Sequence, residues 1–384
     1  MKLLIVSHTA HVNHQGNWYG WGPTVREINF LSNYFEITHI APAESSSNLP
    51  QSYDRVNPSV KIVSTRNRGG VGFVSKLKVL LDSFRYAELV IRNSFSSDIV
   101  HVRCPANISL VALVVLIFFP DKKKWIKYAG DWRPIKDYGS YKLQRFIIRH
   151  LFYNHVVSVN GSYAGEKLFI HHILNPSYSR EELPSTIESK SLRSDEVVVL
   201  FVGGLTSNKG VDIVIRATSL IKDFTPKIKV HIIGEGPERG NLVSLTSSLG
   251  LASQVFFEGW KTKDELKMFY RSAHFIILPS TGEGWPKVIS EAMSFGVVPI
   301  VSDVSGIRQN LEKIGTGSIV KNFDPVFYAE AMKQYLQSPE LWSSQSNMGI
   351  KKADLFTFEN WIENLFELFE RQWKLKFSSR DKSI

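Results

Sequence analysis

Short apolar runs alternate with longer mixed stretches along the first half of the chain. The chain opens with the apolar run Lys2 to Ser7, continues into a loop with Gly16, Gly20 and Gly22, and then shows a helical pattern from Thr24 to Tyr34. β-Branched runs of strand length follow at Ile37 to Ile40, Val60 to Ser64, Ile99 to Val102, Trp125 to Tyr128 and Val156 to Val159. The alternation predicts a parallel sheet with helices on both faces.

The hydrophobic period disappears between Asn175 and Ser194, where Ser, Glu and Pro are frequent. We interpret residues 176–194 as a linker. A second series of strands begins directly afterwards, at Glu196 to Val202, Ile228 to Ile233, Gln254 to Phe257, Phe275 to Leu278, Val298 to Ser302 and Ser318 to Val320. The fold class expected is therefore α/β, with two Rossmann-like, doubly wound lobes and a ligand cleft between them at the carboxyl ends of the strands.

The expected lobes are residues 1–175 and 195–356, and a chain of 384 residues has the length of two ordinary domains. The remaining stretch, 357–384, carries a helical pattern from Glu359 to Lys376. Its apolar positions are Trp361, Leu365, Leu368 and Trp373. We expect a long amphipathic helix that packs back toward the first lobe.

The composition of the chain indicates the cellular compartment in which the protein is expected. Cys104 is the single cysteine, so no internal disulfide can form, and the first residues do not read as a secretory signal. We expect a cytoplasmic protein. The longest apolar run, Ile108 to Pro120, is shorter than the ~20 residues that span a bilayer. It is interpreted as a buried helix, with contact to a membrane surface as the alternative.

The positive charge is confined to the first half of the chain. Residues 1–180 contain 22 Lys and Arg against 11 Asp and Glu, whereas residues 181–384 contain 24 against 25. Such a surface attracts a phospholipid leaflet, a phosphorylated acceptor or nucleic acid, unless the charges are merely scattered over a solvated surface. Zinc-finger spacing, a helix-turn-helix pattern and ribonucleoprotein-type strands are absent from the sequence, so nucleic acid is not expected as a partner.

Two strand-to-helix turns in the second half are candidates for anion binding. The first strand there leads into Gly203-Gly204, and Lys209-Gly210 precedes a helix. Glycines let backbone amides approach a phosphate, and the lysine adds a cation. The spacing is not that of a P-loop, and a plain structural turn is the alternative. The second turn is Gly234-Glu235-Gly236-Pro237. It is interpreted either as part of a nucleotide pocket or as a simple strand-to-helix turn.

The stretch from Thr281 to Ala292 is more specific. Glycines flank Glu283, Pro286 starts a helix, and Glu291 lies on that helix among small and apolar residues. If the first amides of the helix receive a diphosphate, the two carboxylates are placed to accept hydrogen bonds from sugar hydroxyls. One would hold a donor sugar and the other a ribose. A solvated charge or a helix cap is the alternative for each glutamate.

With these motifs in order, the second half resembles glycosyltransferase family 4, a group of retaining enzymes with the GT-B fold. Seven residues separate Glu283 from Glu291, as in the signature of that family. The other matching features are the Val-Gly-Gly turn, Lys209-Gly210, Gly234 to Pro237, Gly259, Gly296 and the strand and loop from Val298 to Gly306.

The resemblance implies a role for each matching residue. Lys209 would contact the donor diphosphate, Glu283 the donor sugar and Glu291 the ribose. Amides of Gly284, Trp285, Pro286 and Lys287 would support phosphate and sugar, beside the glycines Gly204, Gly234 and Gly236. The family often has arginine where this chain has Gly204, so phosphate charge would rest more on Lys209 or on an arginine of the first lobe.

The first half resembles the family less closely. Gly20 and Gly22 fit the glycine-rich loop that faces donor phosphates and acceptor. Asp131 stands near where many relatives have a histidine, and would contact the donor sugar or orient the acceptor hydroxyl, with a helix cap or solvated turn as the alternative. Arg103 is a candidate anion contact at a strand end, and His101 is read as a sheet histidine.

The resulting expectation is a retaining glycosyltransferase that moves a sugar from a nucleoside-diphosphate sugar to a glycan or lipid-linked acceptor. Neither a metal nor another cofactor is expected, and the sequence lacks an Asp-x-Asp metal motif. Cell-surface polysaccharide or lipopolysaccharide synthesis at the inner face of an anionic membrane would suit the basic first lobe. A nucleotide-sugar epimerase and a catalytically silent binding subunit remain as alternatives.

Overall fold

The computed structural model describes residues 1–46, 48–65, 73–133, 139–152, 154–163, 165–187, 190–193, 195–224 and 227–377, with side chains omitted for 73–81. The chain divides into two compact units. Unit 1 contains Met1–Ile173 and Phe358–Ile384, and unit 2 contains Leu174–Thr357.

Unit 1 is built on a ten-stranded sheet. The strands are β1 (Lys2–Val6), β2 (His11–His14), β3 (Asn17–Trp21), β4 (Glu36–Ser45), β5 (Tyr53–Arg55), β6 (Lys61–Thr65), β7 (Ile99–Cys104), β8 (Lys123–Tyr128), β9 (His155–Val159) and β10 (Ile170–His172). Their order is β10-β9-β8-β7-β1-β4-β2-β3-β5, with β6 paired to β4. The helices are α1 (Gly22–Leu31), α2 (Phe73–Phe95), α3 (Asn107–Ile117) and α4 (Gly139–His150). Apart from β3, which pairs antiparallel with β2 and β5, the strands are parallel.

The expected glycine loop after the first strand is instead a β-hairpin. Strands β2 and β3 pair antiparallel across Gln15 and Gly16, whose φ angles are 51° and 79°. Two consecutive positive φ angles are typical of the hairpin turn whose twist matches its strands. Gly20 therefore lies in a strand, and α1 spans Gly22–Leu31 rather than Thr24 to Tyr34.

Unit 2 has a six-stranded, fully parallel sheet. Its strands are β11 (Glu196–Val202), β12 (Lys227–Ile233), β13 (Val255–Gly259), β14 (Phe275–Leu278), β15 (Val298–Ser302) and β16 (Ser318–Val320). Its helices are α5 (Val211–Ser219), α6 (Arg239–Ser248), α7 (Lys263–Ser272), α8 (Lys287–Ser294), α9 (Ile307–Ile314), α10 (Pro325–Gln337) and α11 (Pro339–Lys351). The strand order β13-β12-β11-β14-β15-β16 is doubly wound, so the predicted α/β class of both units is confirmed.

The stretch expected to be a linker is packed on unit 2. Tyr178 and Leu192 are buried in the core of this unit. The Tyr178 hydroxyl donates to the carbonyls of Ala353 (3.0 Å) and Ser290 (3.3 Å). Most residues around Tyr178 and Leu192 are polar. Because two isolated apolar positions form no periodic pattern, the sequence does not indicate that they are buried.

The last helix, α12 (Phe358–Trp373), belongs to unit 1. The four apolar positions of its sequence pattern are all buried. Trp361 and Phe369 approach Trp125 of β8, with ring centroids 6.0 and 5.7 Å apart. Helices α1 and α12 thus cover one face of the sheet, and α2, α3 and α4 cover the other.

Candidate functional site

The strand order of unit 2 reverses between β11 and β14, so their turns lie side by side. Connections from these two strands leave toward opposite faces, and such a switch point is where open parallel sheets bind ligands. Lys209 follows β11 and Glu283 follows β14, and the Lys209 ammonium donates a hydrogen bond to Glu283 Oε1. Two residues 74 positions apart in the sequence therefore meet at the switch point.

The turn that carries Lys209 is locked to the turn after β14. Lys209 ends a short 3-10 helix, Ser207–Lys209, and Gly210 follows with φ 67°. A Cβ atom at Gly210 would lie 2.5 Å from the Pro279 carbonyl oxygen. The Thr281 amide donates to the Asn208 carbonyl over 2.9 Å. The cation is therefore presented by rigid backbone rather than by a free loop.

The turn that carries Glu283 is supported from the next strand, β15. The Ser302 hydroxyl donates to the Ser280 carbonyl over 2.5 Å, and the Ser305 hydroxyl donates to the Glu283 carbonyl. The Glu283 side chain keeps 17% of its surface exposed. Its carboxylate is thus fixed in place yet open to a ligand.

The expected glycines differ in how tightly they are packed. A Cβ atom at Gly234, where φ is +140°, would lie 1.9 Å from the Gly203 carbonyl oxygen, and one at Gly236 would lie 2.3 Å from the Leu205 carbonyl oxygen. A Cβ atom at Gly204 would meet no atom closer than 4.0 Å. Gly234 and Gly236 let two turns pack backbone against backbone, while Gly204 leaves open space.

Helix α8 carries Glu291 and begins at Lys287, with Pro286 in the position before its first turn. Its N-cap residue, Pro286, makes no side-chain hydrogen bond to the helix. Gly284 lies in the preceding turn, but the Trp285 side chain is buried in the core, where it stacks on Phe356 at 5.1 Å. Trp285 can therefore serve a donor through its backbone only.

Glu291 is buried, and sequence reasoning missed its partner. The Tyr270 hydroxyl of α7 donates to Glu291 Oε2 over 3.2 Å. Burial, followed by the negative charge of Glu291, raises the pKa of Tyr270 well above its usual value, so this hydroxyl stays a donor. One carboxylate oxygen of Glu291 is thus held by the protein. The contact joins two helices, and no sequence spacing signals it.

In unit 1, Arg103 belongs to a buried charge cluster with Glu27 and Lys127. Glu27 Oε1 accepts hydrogen bonds from Arg103 Nη1 at 2.9 Å and from Lys127 Nζ at 2.7 Å. Burial lowers the pKa of Lys127 to about 8, against the opposing effect of Glu27. The signal in the sequence was a glutamate on the apolar stripe of α1, between Val25 and Ile28.

The remaining candidates of unit 1 have local structural roles. Asp131 Oδ1 accepts a hydrogen bond from the Arg133 amide at 2.9 Å, which closes a turn. Gly20 packs against the His11 ring, and Gly22 begins α1 against the Asp54 carboxylate. His101 stacks on Trp125 at 3.6 Å, and burial, aided by Arg103, holds its pKa well below the usual value.

Neither a cluster of metal-ligating side chains nor a membrane-spanning helix is found among the described residues. No group of three or more His, Cys, Asp or Glu side chains there is arranged to hold a metal ion. No helix in that part of the chain is both long enough and apolar enough to cross a bilayer.

The fold and the site of unit 2 define a doubly wound α/β protein with a cation and two carboxylates at the carboxyl ends of its strands. The family model described as glycosyl transferases group 1 matches residues 184–352. Residues 184–352 are thus similar to the glycosyl transferases group 1 family, the family that the sequence resembles, and the enzyme class of that family, glycosyltransferase, is the one expected from the sequence.

Sequence relatives match part of the chain. An uncharacterised glycosyltransferase of Methanocaldococcus jannaschii is 37% identical over 131 residues, which are 34% of this chain and 33% of the relative. D-inositol 3-phosphate glycosyltransferase of Rhodococcus erythropolis is 25% identical over 201 residues, 50% of this chain and 46% of the relative. The chain thus spans about a third to a half of the length of these curated relatives.

Solved structures match nearly the whole fold. The Anabaena protein HepE in complex with UDP and glucose has a TM-score of 0.69 and 16% identity, and the match covers 96% of this chain and 99% of HepE. WaaG, a glycosyltransferase involved in lipopolysaccharide biosynthesis, has a TM-score of 0.67 and 12% identity, and the match covers 95% of this chain and 99% of WaaG. These likenesses confirm the expected GT-B-like fold of two α/β units.

The two kinds of glycine in the site give a stability test. We expect Gly234→Ala to lower the free energy of unfolding by about 3 kcal/mol or more, because its Cβ would overlap the Gly203 carbonyl. Gly204→Ala, the matched control in the neighbouring turn, should change it by less than about 0.5 kcal/mol. Urea unfolding of both variants measures the difference, and equal losses would contradict the packing described for these turns.

The buried cluster of unit 1 gives a second stability test. Glu27→Gln leaves two buried cations without a carboxylate and should cost about 3–5 kcal/mol. Lys127→Met leaves Glu27 and Arg103 as a single pair, so its melting temperature at pH 7 should equal or exceed that of the unsubstituted protein. Because the Lys127 pKa in the folded protein is about 8, below the usual 10.5, the folded state binds fewer protons between these values.

The stability of the unsubstituted protein relative to Lys127→Met should accordingly rise as pH increases through about 8 toward 10.5. Melting curves across this pH range measure the difference. A Lys127→Met variant as unstable as Glu27→Gln at pH 7 would show that the lysine is needed for the fold.

Proposed function

We propose that this protein is a retaining glycosyltransferase that transfers a sugar from a nucleoside-diphosphate sugar to a hydroxyl of a glycan or lipid-linked acceptor. The observation that carries the proposal is the meeting of Lys209 and Glu283 at the switch point of unit 2, in the turns that precede α5 and α8. Cell-surface polysaccharide or lipopolysaccharide synthesis is the proposed setting, at the cytoplasmic face of the membrane.

The leaving diphosphate is the group that most needs stabilisation in such a transfer. In the proposed complex, Lys209 supplies a positive charge, and the amides at the start of α8 supply donors with the helix dipole behind them. This arrangement stabilises charge as it develops on the leaving oxygen. It makes a metal ion unnecessary in the proposed reaction.

The two glutamates hold the uncharged parts of the donor. Glu283 is exposed enough to accept hydrogen bonds from the hydroxyls of the transferred sugar. Glu291 has Oε2 engaged by Tyr270, so we assign its second oxygen, Oε1, to the ribose hydroxyls. Binding both ends of the donor fixes the anomeric carbon for attack, and this gain in orientation contributes to the rate.

UDP is the first nucleotide to test, since HepE, which shares the fold, contains UDP with glucose. We expect one nucleotide among UDP, GDP and ADP, with its sugar conjugates, to raise the melting temperature. A ligand at 100 times its Kd adds about 2.7 kcal/mol of stability. Lys209→Ala and Glu291→Ala should abolish the shift, because they remove the proposed phosphate and ribose contacts.

Lys267→Ala is the matched control for this screen, since Lys267 pairs on the surface with Asp264 three residues away. Its nucleotide shift should be that of the unsubstituted protein. No shift with any nucleotide would favour the silent binding subunit. Release of a free altered sugar without an acceptor would favour the epimerase.

We also propose that unit 1 contacts an anionic membrane through α2, α3 and α4. Helix α3 is almost entirely apolar, and Val114 on the helix and Phe118 directly after it are exposed. The neighbouring helices add exposed apolar side chains from Phe84, Ile91, Phe95, Leu143 and Phe146. Basic residues lie among them on the same helices, at Arg85, Arg92 and Lys142. Apolar contact combined with attraction to anionic lipid is the usual basis of peripheral binding.

Vesicle sedimentation tests this surface. We expect binding to vesicles with 30% phosphatidylglycerol, and at least a tenfold loss for the double substitution Phe95→Ser, Phe118→Ser, since both rings are exposed. The control is Leu220→Ser, Met268→Ser, which removes two exposed apolar side chains from unit 2. Equal binding of both double variants, or equal binding to neutral phosphatidylcholine vesicles, would contradict the proposal.

A further inference from the structure

The buried cluster of unit 1 contains two cations and one carboxylate. Arg103 and Lys127 both donate to the same oxygen of Glu27, and the three side chains are 12%, 6% and 2% exposed. In the part of the chain that the structure describes, no other carboxylate lies within ion-pair distance of Arg103 or Lys127. The cluster therefore carries one positive charge in excess.

The residues around the cluster do not offset this charge. His101 and His39 are fully buried, and burial together with the positive charge of Arg103 holds the pKa of both well below the usual value. They are neutral and supply no negative charge. Lys127 Nζ lies 5.5 Å from the centre of the Trp361 ring, a contact that stabilises a cation only modestly. An uncompensated charge in a buried site is costly, and a bound anion would remove that cost.

The geometry leaves Arg103 available to such an anion. Glu27 holds Nη1, and the remaining guanidinium nitrogens form no hydrogen bond with the described residues. Arg103 lies near the end of β7, at the carboxyl edge of the parallel sheet, the edge at which such sheets bind ligands. A planar guanidinium anchored on one side presents its other donors in the fork that suits an oxyanion.

A second group lies at the same edge. His8 follows β1, the strand paired with β7, and burial, followed by the positive charge of Arg103, lowers its pKa. A neutral imidazole can still donate one hydrogen bond to an anion. Helix α1 starts nearby without a side-chain cap or an acidic residue in its first turn, within the described residues. The nearest carboxylate at the start of α1, Asp54, is paired with Arg26 at 3.6 Å.

We propose that Arg103 binds an oxyanion group, phosphoryl or carboxylate, of the acceptor, so that the substrate class of this enzyme is an anionic acceptor. Glu27 acts as a positioning residue that orients Arg103. Because Glu27 neutralises only one of the two cations, Lys127 keeps the net charge of the cluster positive. This inference rests on the proposed glycosyltransferase function, because it assigns the excess charge to the substrate that receives the sugar. The donor diphosphate is the other source of an oxyanion, and the experiment separates the two.

The test uses the full chain, with inorganic phosphate as the probe and calorimetry as the readout. Phosphate is titrated in the presence of saturating UDP, and separately on Lys209→Ala, whose donor phosphate site is removed. We expect phosphate to bind in both settings and Arg103→Gln to weaken it at least tenfold in both. Arg103→Lys should recover part of the affinity. Arg193→Gln, which changes an exposed arginine of unit 2, is the control and should have no effect.

Arg103→Gln is expected to fold, since it leaves Glu27 and Lys127 as a one-to-one pair, and an unchanged melting temperature without phosphate checks this. UDP should bind Arg103→Gln as it binds the unsubstituted protein. Loss of UDP affinity in Arg103→Gln would assign the arginine to the donor and overturn the proposal. Unchanged phosphate affinity in Arg103→Gln, or no phosphate binding to Lys209→Ala, would overturn it as well.

Failure of the proposed function gives a different result, namely no UDP binding to the unsubstituted protein. In that case the phosphate titrations of Lys209→Ala, with and without the additional substitution Arg103→Gln, still test whether Arg103 binds an oxyanion. Acetate titrated in place of phosphate separates the two acceptor chemistries. Binding of acetate that also depends on Arg103 indicates a carboxylate-bearing acceptor, and binding of phosphate alone indicates a phosphorylated one. Either result supports an anionic acceptor.

Discussion

The site of unit 2 depends on the close contact of three backbone turns at one edge of its sheet. The Gly203 amide donates to Ile233, the last residue of β12, at 3.0 Å, and the Leu205 amide donates to Glu235 in the turn after β12 at 2.9 Å. The Glu238 amide of the same turn donates back to Leu205 at 3.0 Å. Thr281 ties the turn after β14 to Asn208 in the same way. Only residues without a Cβ fit where these turns cross. The positions of Lys209 and Glu283 are consequences of this packing, since each is carried by one of the joined turns.

The sequence predicted the parts of this arrangement that depend on local pattern. All six strands of unit 2 were anticipated, because buried parallel strands appear as continuous apolar runs between helical stretches. The glutamate pair was found because its spacing matches a family signature. The contact of Tyr270 with Glu291 and the stacking of Trp285 on Phe356 were not found. Both join residues far apart in the chain, and a pattern along one segment carries no information about which distant side chain faces it.

Unit 1 illustrates the opposite error, in which a motif was read too simply. Three glycines after the first strand suggested an open loop, whereas the chain forms a hairpin whose turn uses only Gly16 for its backbone conformation. The overlooked signal was a two-residue turn containing Gly16 between short runs that carry strand-forming residues, Val12 before it and Trp18 and Tyr19 after it. The cluster of Glu27, Arg103 and Lys127 was also missed as a unit, because its members come from one helix and two strands. Counting the charged residues of the first half predicted a basic surface, but Arg103 and Lys127 are buried, so part of the positive charge lies inside unit 1.

The position of α12 has a consequence for the order in which the protein can be built on the ribosome. Unit 2 is continuous in the chain, so it can complete its core once Thr357 has been synthesised. Unit 1 starts first but lacks the aromatic cover of Trp361, Phe366 and Phe369 until the helix emerges. Its nascent sheet therefore exposes an apolar face while the whole of unit 2 is translated, and this interval is when a chaperone would be most useful.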